Sequence, residues 1–234
     1  MSMMDTYVLL GSTSQWRRRA ILSLGFKSVS LCSTLSDREE RALEEGYEHA
    51  SDPAMLTKYI AEAKMTYLRD KLSDSLLQIV LRDQKRVVLL TADQAIAACT
   101  DGTDTVLSKP HTVDKALEHF DMYRSGAVPR SVLAISCCLV EKQGEGQEGE
   151  WVCRWERTVV DEVPCTLDLD GVSEEDLRSL LATHPDTLQC CGSLLNEAMP
   201  FCHIEGETSS FEGLSHRLVL SLVTEAVTHA AGQV

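Results

Sequence analysis

The run Tyr7-Val8-Leu9-Leu10, followed at once by Gly11-Ser12-Thr13-Ser14, constrains this chain more than any other stretch. Consecutive apolar residues of this kind read as a short buried strand. The glycine and three hydroxyl residues break it, and Trp16-Arg17-Arg18-Arg19 opens a second segment. There Ala20, Ile21, Leu22 and Leu24 fit a helix that Gly25 ends. Strand, hydroxyl-rich turn and helix together aim free backbone N–H groups at an anion. Three arginines in the first helical turn oppose the helix dipole, a conflict that a bound polyanion would remove. On pattern alone a solvated basic turn explains these residues equally well, because no Walker A or Gly-x-Gly-x-x-Gly spacing is present.

With 234 residues, 44% hydrophobic and 25% charged, the chain can bury a substantial core. The expectation is one domain over 1–234, in two packed lobes without a separable linker. No apolar run approaches membrane-spanning length and no leader pattern precedes Tyr7, so a cytoplasmic protein is expected. A net charge of −14 argues against nucleic acid or an anionic membrane as partner. It also makes the arginine cluster locally distinctive. The nine cysteines include Cys137-Cys138 and Cys190-Cys191 but no Cys-x-x-Cys. Buried reduced thiols are therefore expected, not a zinc ribbon or disulfide framework.

Along the chain, 26–35 reads as a second strand with Val29 and Leu31 on one face, and the acidic stretch 36–49 as a solvated loop. Ser51-Asp52-Pro53 starts a helix, with the Ser51 hydroxyl as cap and proline early in the first turn, whose apolar set is Leu56, Tyr59, Ile60, Ala63 and Tyr67, with Lys64 beside that stripe. A lone lysine there would ordinarily snorkel to the surface. Val87 to Leu90 forms a buried strand, with Asp93-Gln94 just beyond its end. Ligand groups gather outside the carboxyl ends of strands in open α/β sheets, although an aspartate there can also cap a turn. Asp101-Gly102 marks a hairpin, and 112–125 reads as a helix. Long strands are expected at 131–140 and 151–169 around the Gly/Glu-rich loop 142–150, with Trp151, Cys153 and Trp155 alternating with Val152 and Arg154 at the period of a half-buried strand. Ser173 and Asp176 form a capping box, and 214–231 reads as a closing amphipathic helix. This pattern predicts an α/β fold: a mixed central β-sheet flanked by helices, two lobes with a cleft between them.

The string Ser12-Thr13-Ser14-Gln15-Trp16-Arg17-Arg18 resembles the N-terminal signature of the Maf family of nucleotide pyrophosphatases, Ser-x-Ser-Pro-Arg-Arg, with Gln15 in place of proline. The Trp variant resembles the branch that hydrolyses 7-methyl-GTP, and so does Ala92-Asp93-Gln94, which that branch writes Ser-Asp-Gln. Ile60 to Lys64 is similar to the family's Leu-Ala-x-x-Lys-Ala, Ser108-Lys109-Pro110 to its Gly-Lys-Pro, and Gly192 to Glu197 to its Gly-x-Tyr/Phe-x-x-Gln/Glu. Arg38-Glu39 stands for an Asp-Glu pair and Ser215 for a proline.

The resemblance implies a Maf/inosine triphosphate pyrophosphatase-like fold and hydrolysis of a nucleoside triphosphate to monophosphate and pyrophosphate. Arg17, Lys64, Lys109 and Ser12 would hold the triphosphate. A divalent cation, Mg²⁺ or alternatively Mn²⁺, would sit on Asp93 first and Glu39 second, with Asp93 also able to orient water as a base. Trp16, Gln94 and Glu197 would meet the base. Guanine's pairing edge offers adjacent donors to a carboxylate, and N7 methylation adds about 0.5–2 kcal/mol of cation–π attraction to a tryptophan face. The family's dTTP/UTP branch carries Arg, Thr and Gln at those three places. The alternatives are that activity, a broad role on modified nucleotides, or a nucleotide-binding regulator of cell division without turnover. Family members are often dimers, so a homodimer is an expectation.

Overall fold

A computed structural model describes residues 6–26, 28–144 and 149–231. Strand β1 (Tyr7–Gly11) lies parallel between β2 (Ser28–Cys32) and β3 (Arg86–Thr100). Antiparallel strands follow: β5 (Val128–Gln143) on β3, β6 (Glu150–Leu167) on β5 and β7 (Cys202–Ile204) on β6. The order is β2-β1-β3-β5-β6-β7, with β4 (Thr103–Leu107) folded back onto β3. Asp101 (φ 49°) and Gly102 (φ 78°) are both left-handed, which is what the two-residue hairpin from β3 to β4 requires. The result is the mixed α/β architecture that the pattern predicted.

The site is positioned by a gap in this sheet. On one edge of β3, Val88–Thr91 pairs with β1 and Ile96–Thr100 pairs with β4. Between them, 92–95 has no strand alongside, while the other edge of β3 pairs with β5 continuously from Arg86 to Cys99. The chain leaves the sheet at the end of β1 to start a helix, so a crevice opens where two strands diverge. Helices α1 (Gln15–Ser23), α2 (Asp37–Gly46) and α3 (Pro53–Asp70) border it, with short α4 (Ser75–Val80) beyond. Farther on come α5 (Val113–Arg124), α6 (Glu174–Thr183), α7 (Thr208–Phe211) and α8 (His216–Ala231).

The core divides accordingly. Val8, Leu10, Val88 and Leu90 face α1 and α8, while Leu9, Val87 and Leu89 face α3 and α4. A third cluster, centred on Phe120, Tyr123, Leu177 and Phe211, fills the half of the molecule built on β4, α5 and α6. Each fully buried large side chain contributes about 1.5–3 kcal/mol. The two halves meet at the gap.

Four expectations are corrected. The acidic stretch is helix α2, not a loop: Ser36 caps it and Glu39 completes a capping box. Asp93 and Gln94 lie inside β3, not past its end, because pairing with β5 carries the strand to Thr100. Asp52, not Ser51, caps α3. The alternation of Trp151, Cys153 and Trp155 is broken by a bulge, with Leu139 opposite Trp155 and Val140 opposite Cys153. The capping box of Ser173 and Asp176 is present. All nine cysteines are free, four of them buried, four half-buried and Cys153 exposed. Of the segments read from sequence, Lys27, 145–148 in the Gly/Glu-rich loop, and the first five residues lie outside the described residues. Among the described residues no helix is long and apolar enough to cross a membrane.

Candidate active site

The turn after β1 is fixed by packing. A Cβ on Gly11 would come within 2.9 Å of Leu68, Thr34 and Thr91, so the strand can end there only as glycine. Ser12 accepts from the Ser14 N–H at 3.1 Å, and Ser14 caps α1 by accepting from the Arg17 N–H at 3.4 Å. The backbone N–H groups of Thr13, Gln15 and Trp16 have no protein partner among the described residues, leaving donors at a helix N-terminus. Gln15 is the first residue of α1 and exposed, so the helix starts there without a proline.

Of the three arginines, Arg17 alone turns into the gap. Its Nη1 donates to the Ala92 carbonyl at 2.8 Å and its Nε to the Gly213 carbonyl at 2.9 Å. Ala92 and Gln94 present their carbonyls on the unpaired edge of β3, and the Cys191 thiol donates to the second at 3.2 Å. These contacts satisfy edge groups that a neighbouring strand would otherwise bind. Arg18 and Arg19 are exposed, and the Arg19 guanidinium lies 4.9 Å over the Trp16 ring.

Alternation along β3 sends Asp93 and Gln94 to opposite faces, and at the gap both reach the same space. On Asp93's side stands α3, pinned by the Thr91 hydroxyl donating to the Ala61 carbonyl at 2.8 Å. Lys64 does not snorkel: it is only 4% exposed, and its Nζ donates to Asp93 Oδ1 at 2.8 Å and pairs with Glu40 Oε1 at 2.9 Å. Glu44, one turn on from Glu40, is held above the usual carboxylate range by burial first and then by Asp93 and Glu40, with Lys64 and Lys109 opposing. Lys109 lies 3.7 Å from the exposed Asp37.

On Gln94's side, Nε2 donates to Ser131 Oγ at 2.8 Å and to the Phe211 carbonyl at 2.6 Å. Both amide hydrogens are thereby used, so Oε1 is the atom left to act, as an acceptor. Gly213 (φ 94°) lies against it, since a Cβ there would sit 2.9 Å from Oε1. The facing loop is anchored by Tyr123 OH donating to the Gly192 carbonyl and by His119 Nδ1 on Ser193 Oγ, each at 2.8 Å. Burial lowers the pKa of that histidine to about 4, so it is a neutral strut. The loop carries Glu197. Glu212 is raised by burial first and next by Glu197.

Ser12, Trp16, Arg17, Lys64, Asp93, Gln94, Lys109 and Glu197 all line one cavity of about 840 Å³. Glu39 does not. Its Oε2 accepts from the Ser36 N–H at 2.7 Å and the Ser36 hydroxyl at 2.6 Å, which spends the carboxylate on the helix cap. Glu40 and Glu44 face the cavity instead, and with Gly213 and Glu212 they were missed from sequence. The capping box was the available signal: a helix starting at Asp37 puts Glu40 and Glu44 on one face. Of the departures from the family signature, Arg38 points outward on α2. Ser108 keeps its backbone role, accepting from the Gly192 N–H at 3.2 Å. Ser215 donates to Glu207 at 2.6 Å and accepts from the Leu218 N–H at 3.2 Å, capping α8 where proline would preset the turn.

A divalent cation fits this donor set. Asp93, Glu40 and Glu44 carry three carboxylates around the one ammonium of Lys64. All are hard oxygen donors, suited to Mg²⁺.

Free amides and cations on one wall, with a carboxylate held beside them, suit cleavage of a phosphoanhydride by a hydrolase. The sequence matches the Maf-like protein family over residues 7–226, so the chain belongs to that family and is a nucleoside triphosphate pyrophosphatase. A relative from Dictyostelium discoideum, described as 7-methyl-GTP pyrophosphatase, is 24% identical over 223 residues, covering 93% of this chain and 96% of the relative.

Proposed function

We propose that the substrate is 7-methyl-GTP, cleaved between its α- and β-phosphates to 7-methyl-GMP and pyrophosphate. The observation that carries this reading is the fixed amide of Gln94. With both its hydrogens donated to Ser131 and Phe211, it offers the base an acceptor, in the cavity that Glu197 and Glu212 also line. Guanine's N1–H and N2–H₂ donors match an acceptor wall, whereas the carbonyls of thymine or uracil would meet oxygen. Glu212 and Glu197, both lining the cavity, also suit a cationic ring such as an N7-methylated purine. Trp16 lines the same space with Arg19 covering one face, leaving the other for stacking. The name of the Dictyostelium relative points the same way.

The triphosphate lies along the α1 turn. Ser12 and the free N–H groups contact it by hydrogen bonds, Arg17 by its planar guanidinium, and Lys64 and Lys109 as point charges. Asp93, with one oxygen on Lys64, uses the other to orient a water and accept its proton. Asp93 with Glu40, in the place that the family resemblance assigned to Glu39, would hold Mg²⁺, which when bound neutralises phosphate charge. A single domain in the cytoplasm, acting as a homodimer, completes the reading. Pyrophosphate release across a nucleotide panel tests it: kcat/KM for 7-methyl-GTP exceeds that for dTTP and UTP, and an equal or reversed ranking overturns the substrate while leaving the reaction class intact.

A further inference from the structure

Outside the nucleotide cavity, one cluster of metal-type donors sits on the β5–β6 pair. The bulge that leaves Arg154 unpaired brings Cys153 diagonally beside Cys138, with the two sulfurs 3.3 Å apart. Glu156 lies opposite Cys138 in the ladder, its Oε2 4.0 Å from the Cys153 sulfur and 2.7 Å from Arg69 Nη1 on α3. Ligand atoms of Cys138, Cys153 and Glu156 lie within 4.8 Å of one another, the only such group of three among the described residues.

We propose that Cys138, Cys153 and Glu156 bind one borderline-soft divalent cation of the zinc type. Tetrahedral bonds of about 2.3 Å would put two thiolates about 3.8 Å apart, whereas a disulfide would have to close them to about 2.05 Å. The observed separation is nearer the first, and a disulfide would give Glu156 no part. Charge also balances: two thiolates and a carboxylate carry −3, the cation brings +2, and Arg69 beside Glu156 brings +1. On binding, two S–H protons pass to solvent as two S–metal bonds and one O–metal bond form, and no oxidant is needed. Arg69 orients the carboxylate from outside the coordination sphere. Cys153 and Glu156 are exposed, which leaves the fourth position to water. Occupancy would tie β5 and β6 to α3, the helix that carries Lys64.

The test titrates full-length, reduced, metal-stripped protein with Co²⁺ alone and with Zn²⁺ alone. The expected result is one equivalent of Co²⁺ with a thiolate-to-cobalt charge-transfer band that Zn²⁺ abolishes, and a melting midpoint raised by Zn²⁺. Cys153→Ser, a change at an exposed position, removes the band and lessens the midpoint shift, and Glu156→Gln weakens Zn²⁺ binding about tenfold or more. Cys32→Ser changes neither. No band with wild type, a band unchanged in Cys153→Ser, or a Cys138–Cys153 disulfide as the stable form in peptide mass spectrometry overturns the proposal.

Discussion

Replacing Lys64 with methionine removes the cation that holds the Asp93 side of the gap together while keeping the side chain's length. In the native protein its Nζ is shared between Asp93 at 2.8 Å and Glu40 at 2.9 Å, with Glu44 one helical turn away. Breaking a fully buried pair by deleting one partner costs about 3–5 kcal/mol. The carboxylates retain 14% and 21% side-chain exposure, so water softens the penalty, and about 2–3 kcal/mol is the better figure. In a chain of this size each kcal/mol moves the melting midpoint by about 2–4 °C, so the variant melts about 4–12 °C lower in chelator. Because it now exposes uncompensated carboxylates to the cavity, Mg²⁺ restores more of that loss than it adds to wild type. Turnover falls about 10²-fold or more, as for removal of one positioned phosphate donor. Differential scanning fluorimetry with and without Mg²⁺, paired with pyrophosphate release, reads both effects. A variant that melts within 1 °C of wild type (roughly a quarter to half of a kcal/mol by the same scale) and keeps its turnover would refute the reasoning.

Glu40→Gln lowers kcat/KM about tenfold or more while Glu39→Gln leaves turnover near wild type and lowers stability only slightly through the lost cap, read by kinetics and chemical denaturation. Gly213→Ala forces a Cβ at positive φ to within 2.9 Å of Gln94 Oε1; it costs about 1–3 kcal/mol and selectively worsens KM for the nucleotide. Burial would raise Glu207, but donors from Ser209, Ser215 and the Arg217 N–H hold it at about 2, below its ordinary 4.5. Its contribution is therefore present above the unfolded pKa and lost as pH falls from about 4.5 towards 2, so wild type and Glu207→Gln converge in urea midpoint near pH 2 and separate to a constant gap above about pH 5.

What was legible in the sequence was whatever obeys a local rule. The apolar run into Gly11, the Asp101-Gly102 turn and the Ser173 cap each follow from residues within a few positions, and the structure shows all three. The failures fall where tertiary pairing or function overrides pattern. Asp93-Gln94 read as a strand end because two polar residues interrupt an apolar run, yet β5 pairs straight through them. They are polar because the neighbouring edge is open. The acidic stretch read as a loop by charge density, although Ser36 and Glu39 marked a helix start, and that misreading cost the register that brings Glu40 to Lys64. Gly213 could not be placed beforehand, since its partners Gln94 and Arg17 are over a hundred positions away.

The most direct test is product analysis of 7-methyl-GTP turnover by wild type and Asp93→Asn, alongside nucleotide binding by calorimetry. Wild type is expected to yield equal amounts of 7-methyl-GMP and pyrophosphate, and Asp93→Asn to bind the nucleotide without turnover. Release of orthophosphate from wild type, or near-normal turnover by Asp93→Asn, would contradict that expectation.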